Sequence, residues 1–197
     1  MGKIFCLMGK SSSGKDTIYK RLLADEELGL RRIVPYTTRP IREGETEGVE
    51  YHFVDEAELA SLQAAGLVVE LRSYNTVHGI WKYFTVCDEE LDTDRFSYAL
   101  IGTPESWHAM KEYFGPERMT AIYVEVDDGE RLARALAREK SQATPHYAEM
   151  CRRFLADQED FSEEKLEKEG ITARFQNADL EQCLGEIKLF IQKCLAV

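Results

Sequence analysis

The run Gly9-Lys10-Ser11-Ser12-Ser13-Gly14-Lys15-Asp16-Thr17 has the G-x-x-x-x-G-K spacing of a loop that cradles phosphates. Glycine at both ends lets the backbone curl until successive N–H groups face phosphate oxygens. The helix that follows adds its positive dipole end, and a lysine at position 15 can reach β- and γ-phosphates. Gly9, Ser11, Ser12, Ser13, Gly14, Lys15, Asp16 and Thr17 are therefore the candidates for holding ATP. The position after the lysine ordinarily carries a hydroxyl that ligates Mg²⁺; here it is Asp16. A carboxylate is a good ligand for a hard cation, which makes Asp16 and Thr17 the candidate metal ligands. An acidic residue in a first helical turn is also favoured by the dipole alone.

A second group spans Thr37-Thr38-Arg39-Pro40-Ile41-Arg42 to Gly48-Val49-Glu50-Tyr51-His52-Phe53. Two arginines three apart around a proline can converge on one phosphate, and Tyr51 adds a hydroxyl donor. Standing alone, the segment reads as a solvated charged loop. His52, His78, His108 and His146 have no metal-ligand spacing and are expected in surface or packing roles.

Positioning the first group takes a strand before the loop and a helix after it. Lys3 to Met8 is a short, mainly apolar run ending at glycine, as a strand buried on both faces reads. Beyond the loop, Thr17, Ile18, Leu22 and Leu23 recur at helical spacing. Arg32 to Val34 reads as a short strand, Pro35 to Gly48 as a loop and Tyr51 to Val54 as a strand. Asp55 can cap a helix with the stripe Ala57, Leu59, Leu62 and Ala65, ended by Gly66. Leu67 to Leu71, Ser97 to Gly102, Thr120 to Val126 and Thr172 to Gln176 are further strand candidates. Helices are expected at Pro104 to Phe114, Asp128 to about Glu139, Tyr147 to Phe161, and after Asp179 with Leu180, Cys183, Leu184, Ile187, Ile191 and Leu195 inward. The charged run Glu163 to Glu169 reads as a solvated helix face. Strands alternating with helices at both ends predict an α/β fold: a parallel sheet covered by helices on both faces, with residues 35–85 as an inserted subdomain.

With 197 residues, 44% hydrophobic and 31% charged, the chain has the make-up of one folded globular unit. Lys plus Arg is 25 against 36 for Asp plus Glu, a net charge of −11. Such a surface repels nucleic-acid backbones and anionic membranes, so neither is an expected partner, while a local basic cluster can still hold a small phosphorylated molecule. No run approaches the roughly 18 apolar residues of a membrane span, and no signal-peptide pattern opens the chain, so a cytoplasmic location is expected. The scattered Cys6, Cys87, Cys151, Cys183 and Cys194 form no C-x-x-C pair and read as reduced thiols.

Taken in order, the phosphate loop, T-T-R-P-x-R-x-G-E-x-x-G-x-x-Y-x-F at Thr37 to Phe53, Glu70, His78-Gly79 with Tyr83 and Thr85, a segment bearing Arg138 and Arg153, and Asn177-Ala178-Asp179-Leu180 resemble the guanylate kinases over essentially the whole chain. The resemblance implies a P-loop NTPase-type core of residues 1–34, 86–133 and 154–197, a substrate-binding insert at 35–85 and a helical lid at 134–153. It implies that Arg39, Arg42, Tyr51 and Tyr83 grip the phosphate of a nucleoside monophosphate, and that Glu70 and Thr85 contact a guanine base. Arg153, with Arg138 rather than Arg134, would stand near the transferring phosphoryl group, so the catalytic set is Lys15, Arg39, Arg138 and Arg153. Asn177 would border the ATP adenine. The implied reaction is in-line transfer from ATP, with Mg²⁺, to GMP, achieved by positioning and charge stabilisation.

Two positions depart from that family. Pro35 stands where the family has a base-contacting serine four residues before Arg39, and Gly102-Thr103-Pro104 where an aspartate follows the Tyr98 to Ile101 strand. Trp81-Lys82 also carries one extra residue before Tyr83. An unpaired polar base edge in a closed site costs about 1–3 kcal/mol, so the acceptor base is left open. The related ribose bisphosphate phosphokinases carry aspartate after the loop lysine and need no base contact. A guanylate-kinase-like binding module would keep the acceptor cleft but typically loses the phosphate loop, which is intact here.

Overall fold

The computed structural model describes residues 1–42, 44–76, 79–88 and 91–196, Thr76 by its backbone alone. Glu43 and His78 of the motifs above lie outside the described residues. The main sheet is parallel throughout and consists of β1 (Ile4–Met8), β2 (Arg31–Arg32), β7 (Tyr98–Ile101), β8 (Met119–Glu125) and β9 (Arg174–Gln176), in the order β2-β7-β1-β8-β9. Every residue of β1 is buried: Ile4, Cys6 and Met8 enter one core, Phe5 and Leu7 the other. Two buried faces explain why its sequence is an unbroken apolar run without alternation.

On one face α3 (Pro104–Phe114) contributes Trp107 and Met110, and α6 (Glu163–Lys168) contributes Leu166. On the other, Ile18 and Leu22 of α1 (Lys15–Leu23) meet Cys183, Leu184, Ile187 and Ile191 of α7 (Leu180–Leu195). Two further helices, α4 (Asp128–Lys140) and α5 (Tyr147–Asp160), pack against each other beside the loop that follows β1.

A second, mixed sheet is built from β3 (Tyr36–Thr37), β4 (His52–Phe53), β5 (Val68–Thr76) and β6 (Gly79–Val86), in the order β4-β3-β6-β5. Only the β3 and β4 pair is parallel. The helix α2 (Glu56–Ala64) is capped by Asp55, whose carboxylate accepts from the Glu58 N–H at 2.8 Å, and it packs Leu59 against Phe84 and Val86.

Several expectations are corrected. Pro35 to Gly48 is not loop throughout, because Tyr36 stacks on Phe84 at 5.3 Å and the Thr37 hydroxyl donates to the Lys82 carbonyl at 2.8 Å, drawing β3 into the sheet. The Leu67 to Leu71 strand runs on to Thr76 because the whole of β6 pairs with it. The second strand is Arg31–Arg32 rather than Arg32 to Val34, although the Ile33 N–H still bonds the Ala99 carbonyl. Helix α5 runs unbroken through residue 153, where core and lid were expected to divide. Leu166 is fully buried within the charged run Glu163 to Glu169, whereas Leu195, expected inward, is exposed, as are Ala57 and Ala65.

At the mouth of the main sheet Gly102 closes β7 onto β1. A Cβ there would lie 2.5 Å from Cys6 Sγ and 2.9 Å from Ser106 Oγ, so a side chain at this position requires both of those to shift. All five cysteines are free, and burial pushes the Cys6 thiol up to about 12, which leaves it inert. No helix among the described residues is long and apolar enough to cross a membrane.

Candidate active site

The loop between β1 and α1 takes the shape its sequence demands. Gly14 has φ 87°, and a Cβ on it would lie 2.4 Å from Asn177 Nδ2, so two separate constraints require glycine. Ser12 holds φ 63° without being glycine, a strained conformation of the kind that concentrates at ligand-binding loops. Ser13 Oγ is buried with no hydrogen-bond partner among the described residues. An orphaned buried hydroxyl in a loop of this spacing fits a phosphate oxygen as its missing partner.

Helix α4 and helix α5 brace this loop through residues that sequence reasoning missed. Arg131, 1% exposed, donates to Asp128 Oδ1 at 2.7 Å and to the Ser11 carbonyl at 3.0 Å. Asp157 Oδ2 accepts from the Ser11 N–H at 2.7 Å and lies 3.4 Å from Arg131, so both sides of Ser11 are held. Gln158 ties Lys10 to Asp128. Burial works against the Asp128 carboxylate, but Arg131 and Gln158 outweigh it and hold the carboxyl below its usual range. The available signal was an arginine at the i+3 position from Asp128, in the first turns of α4. Replacing Asp157 with alanine should release the Ser11 N–H and strip a partner from Arg131, costing about 2 kcal/mol, or about 4–8 °C in a thermal melt.

The expected lid arginines separate clearly. Arg138 Nη2 lies 3.3 Å from Ser12 Oγ and Arg153 Nη2 lies 3.4 Å from Ser11 Oγ, both over the phosphate loop. Arg134 instead donates to the Asn177 carbonyl at 3.2 Å. Arg138, Arg153, Ser11, Ser12, Met150 and Phe154 line one small cavity. Asn177, expected to border the adenine, is 3% exposed, and its amide donates to the Ser13 carbonyl at 2.7 Å, so the side chain braces the loop. Lys15 Nζ lies 3.4 Å from Asp16 Oδ2, and the Asp16 side chain is 71% exposed. No group of three or more His, Cys, Asp or Glu among the described residues could cage a metal. Mg²⁺ characteristically takes only one or two carboxylates and completes its shell with water and phosphate oxygens, so an exposed Asp16 beside the loop fits that ion.

Of the expected acceptor residues, Glu70, Tyr83 and Thr85 share one face of the second sheet, Arg39 and Tyr51 lie beside Tyr83, and Arg42 does not join them. Along β5, Glu70, Arg72 and Tyr74 alternate onto the face shared by their register partners Thr85, Tyr83 and Trp81 on β6. The Glu70 carboxylate accepts from the Thr85 hydroxyl at 2.8 Å and from Arg72 Nε at 2.9 Å. Burial opposes the charge of Arg72, and Glu70 more than offsets it, raising the Arg72 pKa. Arg39 is 3% exposed and forks onto Glu45 at 2.8 and 2.5 Å, with its guanidinium 5.0 Å from the Tyr51 ring centre. Tyr51 and Tyr83 meet edge to face at 5.6 Å, and Tyr83 is a further partner of Arg39. The fork of Arg39, and then the Arg42 N–H, hold the Glu45 carboxyl below its usual range. Arg42 stands apart, 5.5 Å over the Trp81 ring, in an open groove of about 630 Å³ with Thr38, Ile41 and Ile80. Its charge still reaches Glu149 on α5, next to Arg152 and Arg153.

Residues 1–82 match the family model described as guanylate kinase. The guanylate kinase of Neisseria gonorrhoeae is 49% identical over a stretch spanning 35% of this chain and 33% of that protein. The guanylate kinase of Symbiobacterium thermophilum is 29% identical over 96% of this chain and 84% of its own length. The crystal structure of guanylate kinase from Anaplasma phagocytophilum superimposes with a TM-score of 0.66 over 98% of this chain and 85% of that one, at 21% identity, a likeness of fold. The sequence match to the family model thus falls on the part that carries the phosphate loop and the Thr37 to Phe53 motif, and the likeness of fold to a solved guanylate kinase covers 98% of the chain.

Proposed function

We propose that the chain catalyses in-line transfer of a phosphoryl group from ATP, with Mg²⁺, to the phosphate of a guanine nucleoside monophosphate. The observation that carries this reading is the pairing of two sets: a braced phosphate loop under Arg138 and Arg153, and a separate Arg39, Tyr51 and Tyr83 cluster beside Glu70 and Thr85. The chemistry asks for donors aimed at charge on transferring oxygens and no base, because the acceptor phosphate is already ionised. Lys15, Arg138 and Arg153 supply donors on the ATP side. Arg39, Arg42, Tyr51 and Tyr83 supply them on the acceptor side. Asp16 and Thr17 would hold Mg²⁺, which would supply charge neutralisation at the ATP phosphates. The second sheet and the α4 and α5 pair would close over the two substrates and exclude water, which would otherwise hydrolyse ATP.

A base-free acceptor is the second reading, favoured by Asp16 after the loop lysine and by the absence of a side chain at Gly102. A coupled ADP-release assay with MgATP and GMP, dGMP, AMP, IMP, CMP, UMP or ribose 1,5-bisphosphate decides between them. GMP is expected to turn over well above the rest. Preference for ribose 1,5-bisphosphate would establish the second reading, and silence across the panel with ATP still bound would leave a binding module.

A further inference from the structure

Glu70 and Arg72 form a donor and acceptor pair at the place where the proposed acceptor base would lie. Glu70 is the inner member, its side chain 2% exposed, and Arg72 the outer, at 14%. Two Arg72 donors engage Glu70, at 2.9 and 3.4 Å, and Nη1 reaches Thr103 Oγ1 only at 3.5 Å, the limit of a hydrogen bond. Tyr74 is a further partner of the guanidinium, so the donor that can be turned onto a ligand is the one spent on the long Thr103 contact. Thr103 opens α3 directly after Gly102, where a side chain would press on Cys6 and Ser106. Arg72 thus spans from Glu70 to the segment where the resembling family places its base-reading aspartate.

We infer that Arg72 is a specificity-determining residue that reads the acceptor base: its guanidinium donates to a 6-oxo oxygen while Glu70 accepts the neighbouring N1–H. The inference rests on the reading of this cleft as the nucleoside monophosphate site. An aspartate and a serine gone, the site trades further contacts to the base donors for one to its acceptor. A donor beside an acceptor complements the O6 and N1–H edge of guanine or hypoxanthine, and it sets a guanidinium against the 6-amino group of adenine. The ligand class is a 6-oxopurine nucleoside monophosphate.

The test crosses substrate analogues with substitutions. Wild-type protein is expected to prefer GMP over its 6-thio analogue, whose sulfur is a poor acceptor, by about tenfold or more in kcat/KM. Arg72→Met should lower kcat/KM for GMP by about 10- to 100-fold and erase the preference for oxygen over sulfur. The ratio of GMP to IMP should stay unchanged, because the 2-amino group faces Glu70. Arg72→Lys should restore part of the loss. An equal fall on every substrate would reduce Arg72 to a structural partner of Glu70 and overturn the inference, as would faster GMP turnover in Arg72→Met. Should Arg72→Met fail to fold, wild-type indifference to the sulfur analogue overturns the inference by itself. Failure of the underlying reading is distinguishable, since wild-type protein would then phosphorylate no 6-oxopurine before any residue is changed.

Discussion

Lys15→Met is expected to reduce phosphoryl transfer by about a thousandfold while leaving the fold intact. A preorganised donor removed from developing charge costs about 10²- to 10³-fold in turnover, and a charged donor falls at the upper end. Lys15 makes one contact with a neighbouring side chain, Asp16 at 3.4 Å, so no buried network depends on it. The loop backbone stays fixed by Asn177 on Ser13 and by Asp157 on Ser11. Binding should therefore weaken far less than turnover. Single-turnover rates beside an ATP titration separate the two, and a variant keeping more than a tenth of wild-type turnover would remove Lys15 from the catalytic set.

Arg39→Met should be nearly as damaging to activity, and unlike Lys15→Met it should cost stability. On the proposed reading the substitution removes a charged donor from the acceptor phosphate, for a fall in kcat/KM of about 10²- to 10³-fold. It also leaves Glu45, 17% exposed, without the fork that holds it, at a cost of about 3 kcal/mol. The pH dependence identifies the cause. A carboxyl whose folded pKa is depressed adds stability above its unfolded pKa and loses it as the pH falls. The Glu45 contribution of the wild type should fade below about pH 4, and this part of the pH profile should vanish in Arg39→Met, as thermal melts between acid and neutral pH would record.

Legibility in the sequence followed how local each cause is. The phosphate loop with its flanking strand and helix, and the capped helices at Asp55 and Asp179, are set by residues adjacent in sequence, and they stand where the spacing places them. Strand β6 escaped notice because Ile80 to Val86 interrupts its apolar residues with Lys82 and Thr85, whose polar groups are satisfied only by β5 and α2 partners. Arg72 was hidden in plain alternation with Glu70 and Tyr74, since its role depends on Thr103, far along the chain. The brace that Asn177 supplies is invisible near it in sequence, because Ser13, which lies beneath its amide, is far along the chain. Leu166 sat inside a charge run, and only packing under β8 and α3 distinguishes it from its solvated neighbours.

The tight seam at Gly102 bears on how such a site could change over time. Any larger residue at that position must displace Cys6 in the central strand and Ser106 in the capping box of α3. An acidic side chain there would press on the central strand before it touched a nucleotide. An exchange at Arg72 has only Glu70, Tyr74 and Thr103 to respect, whereas one at Gly102 must be absorbed by two elements of the main core at once. Acceptor preference is therefore easier to tune from the second sheet than from the end of β7.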